Sequence, residues 1–297
     1  MSDQKYRLKK HSQYGYFFVD PTPTPQEIES FYKNEFYSTQ RPNFNDSQLV
    51  VQQKDQSFYN FWREFIIDTV EKDAKRTIEN FNCFDIGCGW GETLRFLKTK
   101  GANVFGVDPA IEAVSYCQEM GINALNSNFS TLNPFKQKFD FVIMQNVLEH
   151  LSTPDTIIDN IITEALTDNG YLVIDVPNEF NAFQQAGQKT HNLEQWWVCP
   201  PAHLNYFNAD SLETLLVEKG FSIVDKIASF PLEMFLLFGD KYVGDENLGH
   251  QCHKKRMAFE HNLINCGEKE AMLNFYRSLA EQNLGRQTLI IAKKNRA

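Results

Sequence analysis

The chain is predicted to be an α/β protein built on a doubly wound, mostly parallel sheet of seven strands, with an N-terminal helical cover and a helical insertion before the last strand. Three observations carry this expectation. From about Asn82 onward, short apolar runs alternate with segments of helical periodicity, the pattern of repeated strand, helix, strand units. A glycine-rich turn, "GCGWG", follows directly on the first apolar run, and Asp108 ends the next one.

Taken in order, "CFDIG" reads as strand one and "ETLRFLKTKG" as a helix stopped at Gly101. Strand two is "NVFGVD". The segment "PAIEAVSYCQEMG" opens with Pro109 near a helix start, puts Ala113, Cys117 and Met120 on one face, and closes at Gly121. "INALN" is strand three, "FDFVIMQNVLEHL" runs from strand four into a helix start, and "DTIIDNIITEALTDNG" reads as an amphipathic helix before strand five, "YLVIDVPN". "DSLETLLVEKGF" is a helix capped by Asp210 or Ser211, "SIVDKIA" is strand six, and "QTLIIAKK" closes the sheet. Before all this, "DPTPTPQEIESFYKNEFY" is a proline-rich lead into a short helix, and "FYNFWREFIIDTVEKDAK" is a longer amphipathic one. The expected division is a cover over residues 1–80 and a sheet domain over 81–297, with the aromatic, helical insertion at about 230–286.

Composition narrows the partners. A formal net charge of −9 over 297 residues argues against nucleic acid or an anionic membrane as the main partner. The first residues, "MSDQKYRLKK", lack the apolar core of a secretory signal, and "MFLLFG" is far shorter than a bilayer span, so no membrane span and a cytoplasmic location are expected. The 6 cysteines include no CxxC pair, which fits free thiols in a reducing compartment. In "HQCHKK", His250, Cys252 and His253 lie close together, but no second half with tetrahedral spacing follows, so no metal is expected.

Gly87, Gly89 and Gly91 place a strand, a bare turn and a helix N-terminus in succession, which is a cradle for a small ligand. The third glycine comes one position too early for the dinucleotide fingerprint, which disfavours a nicotinamide cofactor. Asp108 stands where a carboxylate accepts hydrogen bonds from two ribose hydroxyls. In these residues the chain resembles the class I S-adenosylmethionine-dependent methyltransferases, whose first motif is an acidic residue followed by G-x-G-x-G, matched here by Asp85, Gly87, Gly89 and Gly91. The resemblance covers about residues 80–228 and the final strand and implies a Rossmann-like fold with S-adenosyl-L-methionine as cofactor. It implies that the glycine turn faces the methionine end, that Asp85 orients its amine, and that Asp108, with Pro109 beside it, holds the ribose. It further implies that Asn128 and Phe129, in "NSNFSTL", cover the adenine, and that Gln145, Asn146 and Val147, in "MQNVLEHL", lie beside the cofactor.

Methyl transfer is an in-line displacement, so the protein must align donor and acceptor and remove a proton when the acceptor is a hydroxyl. In an open α/β sheet the acceptor lies beyond the carboxyl ends of the strands, which directs attention to the long loop "NEFNAFQQAGQKTHNLEQWWVCPPAHLNYFN". Its His203 is the candidate base, a role implied by resemblance to the "HLNYF"-type motif of bacterial sugar and natural-product methyltransferases; a histidine that only anchors the loop is the competing reading. Tyr206 shares this site, and Trp196 and Trp197 either stack on a sugar ring or pack the loop down. His150, after strand four, is a weaker candidate for substrate contact.

Resemblance to methyltransferases of bacterial surface-polysaccharide and deoxysugar pathways implies a small-molecule acceptor, a sugar or nucleotide-linked sugar. Sugar C-methyltransferases of that build carry an N-terminal cysteine-rich zinc module and a Tyr-x-Glu-His type segment. Here residues 1–80 contain no cysteine and Ala202 stands where the glutamate would, so O-methylation is the expectation. Two rivals stay open, an O-methyltransferase of a quinone or other small aromatic, and a non-catalytic binding module of the same fold. Exposed aromatic residues of the N-terminal segment and the insertion suggest a homodimer.

Overall fold

The computed structural model describes residues 5–31, 49, 52–127 and 132–295. After a hairpin of β1 (Arg7–Lys10) and β2 (Phe17–Asp20) come α1 (Pro25–Phe31) and α2 (Gln56–Ala74). The sheet domain then runs β3 (Asn82–Ile86), α3 (Glu92–Thr99), β4 (Asn103–Asp108), α4 (Ile111–Glu119), β5 (Asn123–Asn126) and β6 (Phe139–Gln145). A single 3-10 turn (Leu148–His150), α5 (Pro154–Asn160), β7 (Leu166–Pro177), α6 (Ala182–His191), β8 (Asn205–Tyr206), α7 (Ala209–Glu218) and β9 (Phe221–Ala228) follow. The insertion supplies α8 (Glu233–Leu237), α9 (Glu246–Asn265) and α10 (Lys269–Glu281) before β10 (Gln287–Lys294).

The main sheet has 7 strands in the order β5-β4-β3-β6-β7-β10-β9, parallel except for β10, which runs antiparallel to both neighbours. Successive residues of its central strands go to opposite faces because a strand alternates with period two. Cys83, Phe141, Ile143 and Val173 join one core with Phe65, Leu94 and Tyr276, so α2, α3 and α10 cover that face. Phe84, Ile86, Val142, Met144 and Leu172 join the other with Ile158, Leu212 and Leu215 from α5 and α7. The predicted doubly wound architecture, its helical cover and its helical insertion are all present, and β10 occupies the residues the sequence marks for it.

Three local features differ from expectation. The helix read over "DTIIDNIITEALTDNG" stops early: α5 ends at Asn160, a π turn spans Ile161–Ala165, and β7 begins at Leu166. Leu166 is drawn into the sheet opposite Phe139, and the pairing then jumps to Phe141 with Tyr171, so Thr167 to Gly170 bulge outward with Asn169 at φ 62. Burial of Leu166 against the neighbouring strand outweighs the helical periodicity of the segment. Second, α7 is capped by Asn208, whose side chain accepts from the Ser211 amide while the Ser211 hydroxyl accepts from the Asn208 amide. Third, the hairpin in front of the helical cover pairs β2 with β8, Phe17 opposite Tyr206, to make a separate 3-stranded sheet. Tyr16 of this hairpin packs on Phe207 with ring centroids 4.7 Å apart. Among the described residues no helix is long and apolar enough to cross a membrane.

Candidate active site

The glycine turn follows β3 and is tied to β4 by the Gly87 and Cys88 amides, which both donate to the Val107 carbonyl at 2.8 and 3.0 Å. All three glycines have positive φ, 79° at Gly87, 50° at Gly89 and 72° at Gly91. They serve different ends. A Cβ on Gly87 would lie 2.4 Å from Val147 Cγ2, and one on Gly91 would lie 2.6 Å from Cys117 Sγ, so the chain's own packing demands glycine at both. A Cβ on Gly89 would meet nothing within 4 Å. The middle glycine therefore turns bare backbone toward open space, which is where a ligand can approach.

Two carboxylates flank this opening. Asp108 accepts from the Gly89 and Ala110 amides, each at 2.8 Å; burial raises its pKa and these two bonds pull against that shift. Its carboxylate thus braces the turn, and a ribose would share lone pairs that the backbone already uses. Asp85, at the end of β3, is pushed up to about 7 by burial and then by the Asp108 charge, with Arg63 opposing. Arg63 was not foreseen. It is a buried residue of α2, donating to Asn60 Oδ1 at 2.9 Å, Gln52 Oε1 at 3.4 Å and Thr93 Oγ1 at 3.4 Å. Thr93 in turn donates to Gln145 Oε1 at 3.4 Å, so a polar chain from α2 through α3 reaches the end of β6. The one sequence signal for Arg63 was its place inside an aromatic helical stripe, "FWREF", where a charge has no reason to be unless something pairs with it.

Val147 is buried against Gly87. Asn146 takes φ 54°, its amide donating to the Asp175 carbonyl at 2.7 Å and its side-chain oxygen accepting from Gln287 Nε2 at 2.7 Å. Pro109 is exposed beside Asp108, and its carbonyl accepts from Asn126 Nδ2 at 2.9 Å. Asn128 and Phe129 lie outside the described residues.

The second group of predicted residues gathers beyond β6 and β7, along the same carboxyl edge of the sheet. The His150 and His203 rings meet edge to face with centroids 4.9 Å apart, and His203 stands 6.4 Å from the Tyr206 ring. His150 Nδ1 lies 2.6 Å from the Ala202 carbonyl, and Leu204 donates to the Glu149 carbonyl at 2.8 Å, so the His203 loop is stitched to the turn after β6. Burial, then the nearby His150 and Arg286, lower the His203 pKa to about 3, which keeps the imidazole neutral but makes it a weak base. Glu149, only 2% exposed, is pushed up to about 8 by burial, with Asp175 and Glu179 adding to the shift and its own backbone amide opposing it. Sequence reasoning left Glu149 without a role, yet its raised pKa lies in the range where a carboxyl can exchange a proton near neutrality.

Tyr206 is buried, its hydroxyl donating to the His203 carbonyl at 3.0 Å and accepting from the Cys199 amide at 3.2 Å, so it holds the loop in shape. Trp197, 2% exposed, packs edge-on against Phe180 at 5.6 Å and against Trp196 at 4.8 Å, while Trp196 stays half-buried. Phe180 itself sits at φ 59°, unusual for a bulky residue, directly after β7 and 4.8 Å from Phe17 of the hairpin. The N-terminal hairpin therefore packs against the edge of this second group.

A family model described as a methyltransferase domain matches residues 56–226. A ubiquinone biosynthesis O-methyltransferase of Azorhizobium caulinodans is 27% identical over 126 residues, which is 40% of this chain and 49% of that protein. The chain spans about half the length of that curated relative. The crystal structure of magnesium protoporphyrin IX methyltransferase from Synechocystis PCC 6803 with bound SAH superposes with a TM-score of 0.53 at 15% identity, over 92% of this chain and 100% of that one. The plantazolicin methyltransferase BamL, in complex with a triazolic desmethylPZN analog and SAH, gives 0.53 at 14% identity, over 91% and 94% of the two chains. At such identities the superpositions show a shared fold.

Proposed function

Because the chain belongs to the methyltransferase-domain family, we propose that it transfers a methyl group from S-adenosyl-L-methionine to a hydroxyl of a small-molecule acceptor. The observation that carries this reading is the bare Gly89 backbone between the buried carboxylates Asp85 and Asp108. An added side chain at Gly87 or Gly91 would strike the protein itself, whereas the space at Gly89 is left over. When bound there, the cofactor supplies a methyl group made electrophilic by its sulfonium. Asp85 offers its carboxylate to the ligand's ammonium, Arg63 its positive charge to the ligand's carboxylate, and Asp108 its remaining lone pairs to the ribose. Gln145, Asn146 and Val147 line the side toward β6. The acceptor oxygen takes the methyl as the carbon–sulfur bond breaks, and its proton passes in this reading to Glu149, with the neutral His203 ring beside it as a weaker acceptor.

For the acceptor, the sugar or nucleotide-linked sugar reading is supported by the half-buried Trp196 beside the long loop, since an indole face suits a sugar ring. Trp197, buried against Phe180, packs the loop instead. The second reading, a quinone or other small aromatic, draws on the name of the Azorhizobium relative and on the half-buried aromatic rim of Phe17 and Phe180. Both acceptors offer a hydroxyl. A retained scaffold without activity is disfavoured because the turn, both aspartates and their contacts are intact.

Titration calorimetry of the purified chain with S-adenosylhomocysteine should show binding at a Kd on the order of micromolar. Asp108→Ala should weaken it at least about tenfold, because the variant loses both the ribose partner and the brace on Gly89. Absence of heat with the wild-type chain would remove the basis of this function.

A further inference from the structure

We propose that Glu149, His150 and His203 form a binding site for a divalent transition-metal ion of the zinc, cobalt or manganese class. One ligand atom from each of the three lies within 4.8 Å of the others. Metal to ligand distances in such sites are about 2.0–2.2 Å, which sets tetrahedral ligand atoms about 3.3–3.6 Å from one another, so the widest pair must draw in by about an ångström as an ion enters. Two imidazoles and one carboxylate suit ions of intermediate softness and leave coordination positions open.

Four features of the surroundings point to a cation. The Ala202 carbonyl can only accept a hydrogen bond, so His150 Nδ1 carries the proton and its Nε2 presents a lone pair, 3.7 Å from Glu149 Oε1. A backbone carbonyl on the far nitrogen is the usual outer partner of a metal-bound imidazole, because it fixes both tautomer and ring orientation. Glu149 Oε2 and His203 Nδ1 are buried without a hydrogen-bond partner, a costly arrangement that one ion would resolve at both atoms. The wider environment is acidic on one side, with Asp175 and Glu179 acting on Glu149, while Arg286 is engaged by Glu233 at 3.2 Å.

The backbone holds the set in place. The 3-10 turn fixes Glu149 next to His150, and the Leu204 amide ties the His203 segment to the Glu149 carbonyl. These ligands come from two segments far apart in the chain, which is why a search for His and Cys spacing within one segment expects no metal. An ion here would lower the pKa of an acceptor hydroxyl that binds to it. That last role rests on the transferase reading; the binding itself does not.

The test uses the full chain, stripped with a chelator and titrated with Co2+, followed by visible absorption and calorimetry. The expected result is one ion per chain, with Glu149→Gln and His203→Asn each weakening binding at least about tenfold while S-adenosylhomocysteine affinity and the circular dichroism spectrum stay unchanged. A His250→Ala, His253→Ala double variant should bind Co2+ like the wild type. Should either site variant fail to fold, protection of His150 and His203 from diethylpyrocarbonate by Zn2+ in the wild-type chain reads the same site. No visible bands at millimolar Co2+, undiminished binding in both site variants, or absence of protection would each overturn the proposal. Loss of cofactor binding with retained Co2+ binding would instead count against the transferase reading alone.

Discussion

In the proposed function, Asp85 makes ligand binding sensitive to pH. Its folded pKa is raised to about 7, so between the ordinary carboxyl value of 3.8 and about 7 the folded chain holds a proton that the unfolded chain has released. This group's contribution to stability therefore falls as pH rises through that window. A ligand ammonium needs the charged carboxylate, and binding below about pH 7 must first expel the proton. Affinity for S-adenosylhomocysteine should accordingly tighten from pH 5 to 7, by up to about tenfold per unit, and level off above; Asp85→Asn should flatten the profile. Calorimetry at several pH values checks it, and a slope that survives in Asp85→Asn would assign the effect elsewhere. At this scale the sequence was uneven in what it disclosed. The aspartates and glycines were legible because a turn leaves a local pattern, whereas Arg63 and Glu149 were not, since their meaning depends on partners brought close only by the fold.

Within elements, the three glycines of one turn should behave differently. Gly91→Ala puts a Cβ 2.6 Å from Cys117 Sγ at φ 72°, so a loss of about 2–4 kcal/mol in urea unfolding is expected, from left-handed strain plus overpacking. Gly89→Ala carries only the strain, about 1 kcal/mol, yet should weaken cofactor binding at least about tenfold by filling the approach. Equal effects of both on stability and binding would mean the bend is not shaped for a ligand. The hairpin offers a second test. Tyr16 is buried on Phe207 directly before β2, which pairs with β8, so Tyr16→Ala should lower stability by about 3 kcal/mol and loosen the His203 loop, read as faster hydrogen exchange at residues 199–206. The strands and helices of the main sheet were legible because each repeats a period over several residues. The hairpin was not, because β1 and β2 have 4 residues each and owe their pairing to β8, a 2-residue strand distant in sequence. The π turn escaped notice for a similar reason: Leu166 obeys its neighbour in the sheet and not its place in a helical repeat.

For the molecule as a whole, the insertion is the region whose purpose the sheet does not explain. It packs on the sheet through Tyr276, which donates to the buried Glu260 at 2.9 Å, and Trp62 of α2 donates to the same carboxylate at 3.0 Å. Its outer side presents Phe238, 70% exposed, with Phe259 and Phe275 also open to solvent. Exposed aromatic groups of this kind favour self-association, so sedimentation analysis should show a dimer, and Phe238→Ser combined with Phe275→Ser should return it to a monomer. A monomeric wild-type chain at micromolar concentration would leave these side chains for another partner.

The position of β10 carries a consequence for how the protein is made. Residues 287–294 fill the slot between β7 and β9, yet the ribosome delivers them after every other strand of the sheet. Until they emerge, β7 lacks one neighbour and β9 its only one. Completion of the sheet therefore waits on the strand made last, and the interval before it is when a growing polypeptide of this kind most needs a chaperone.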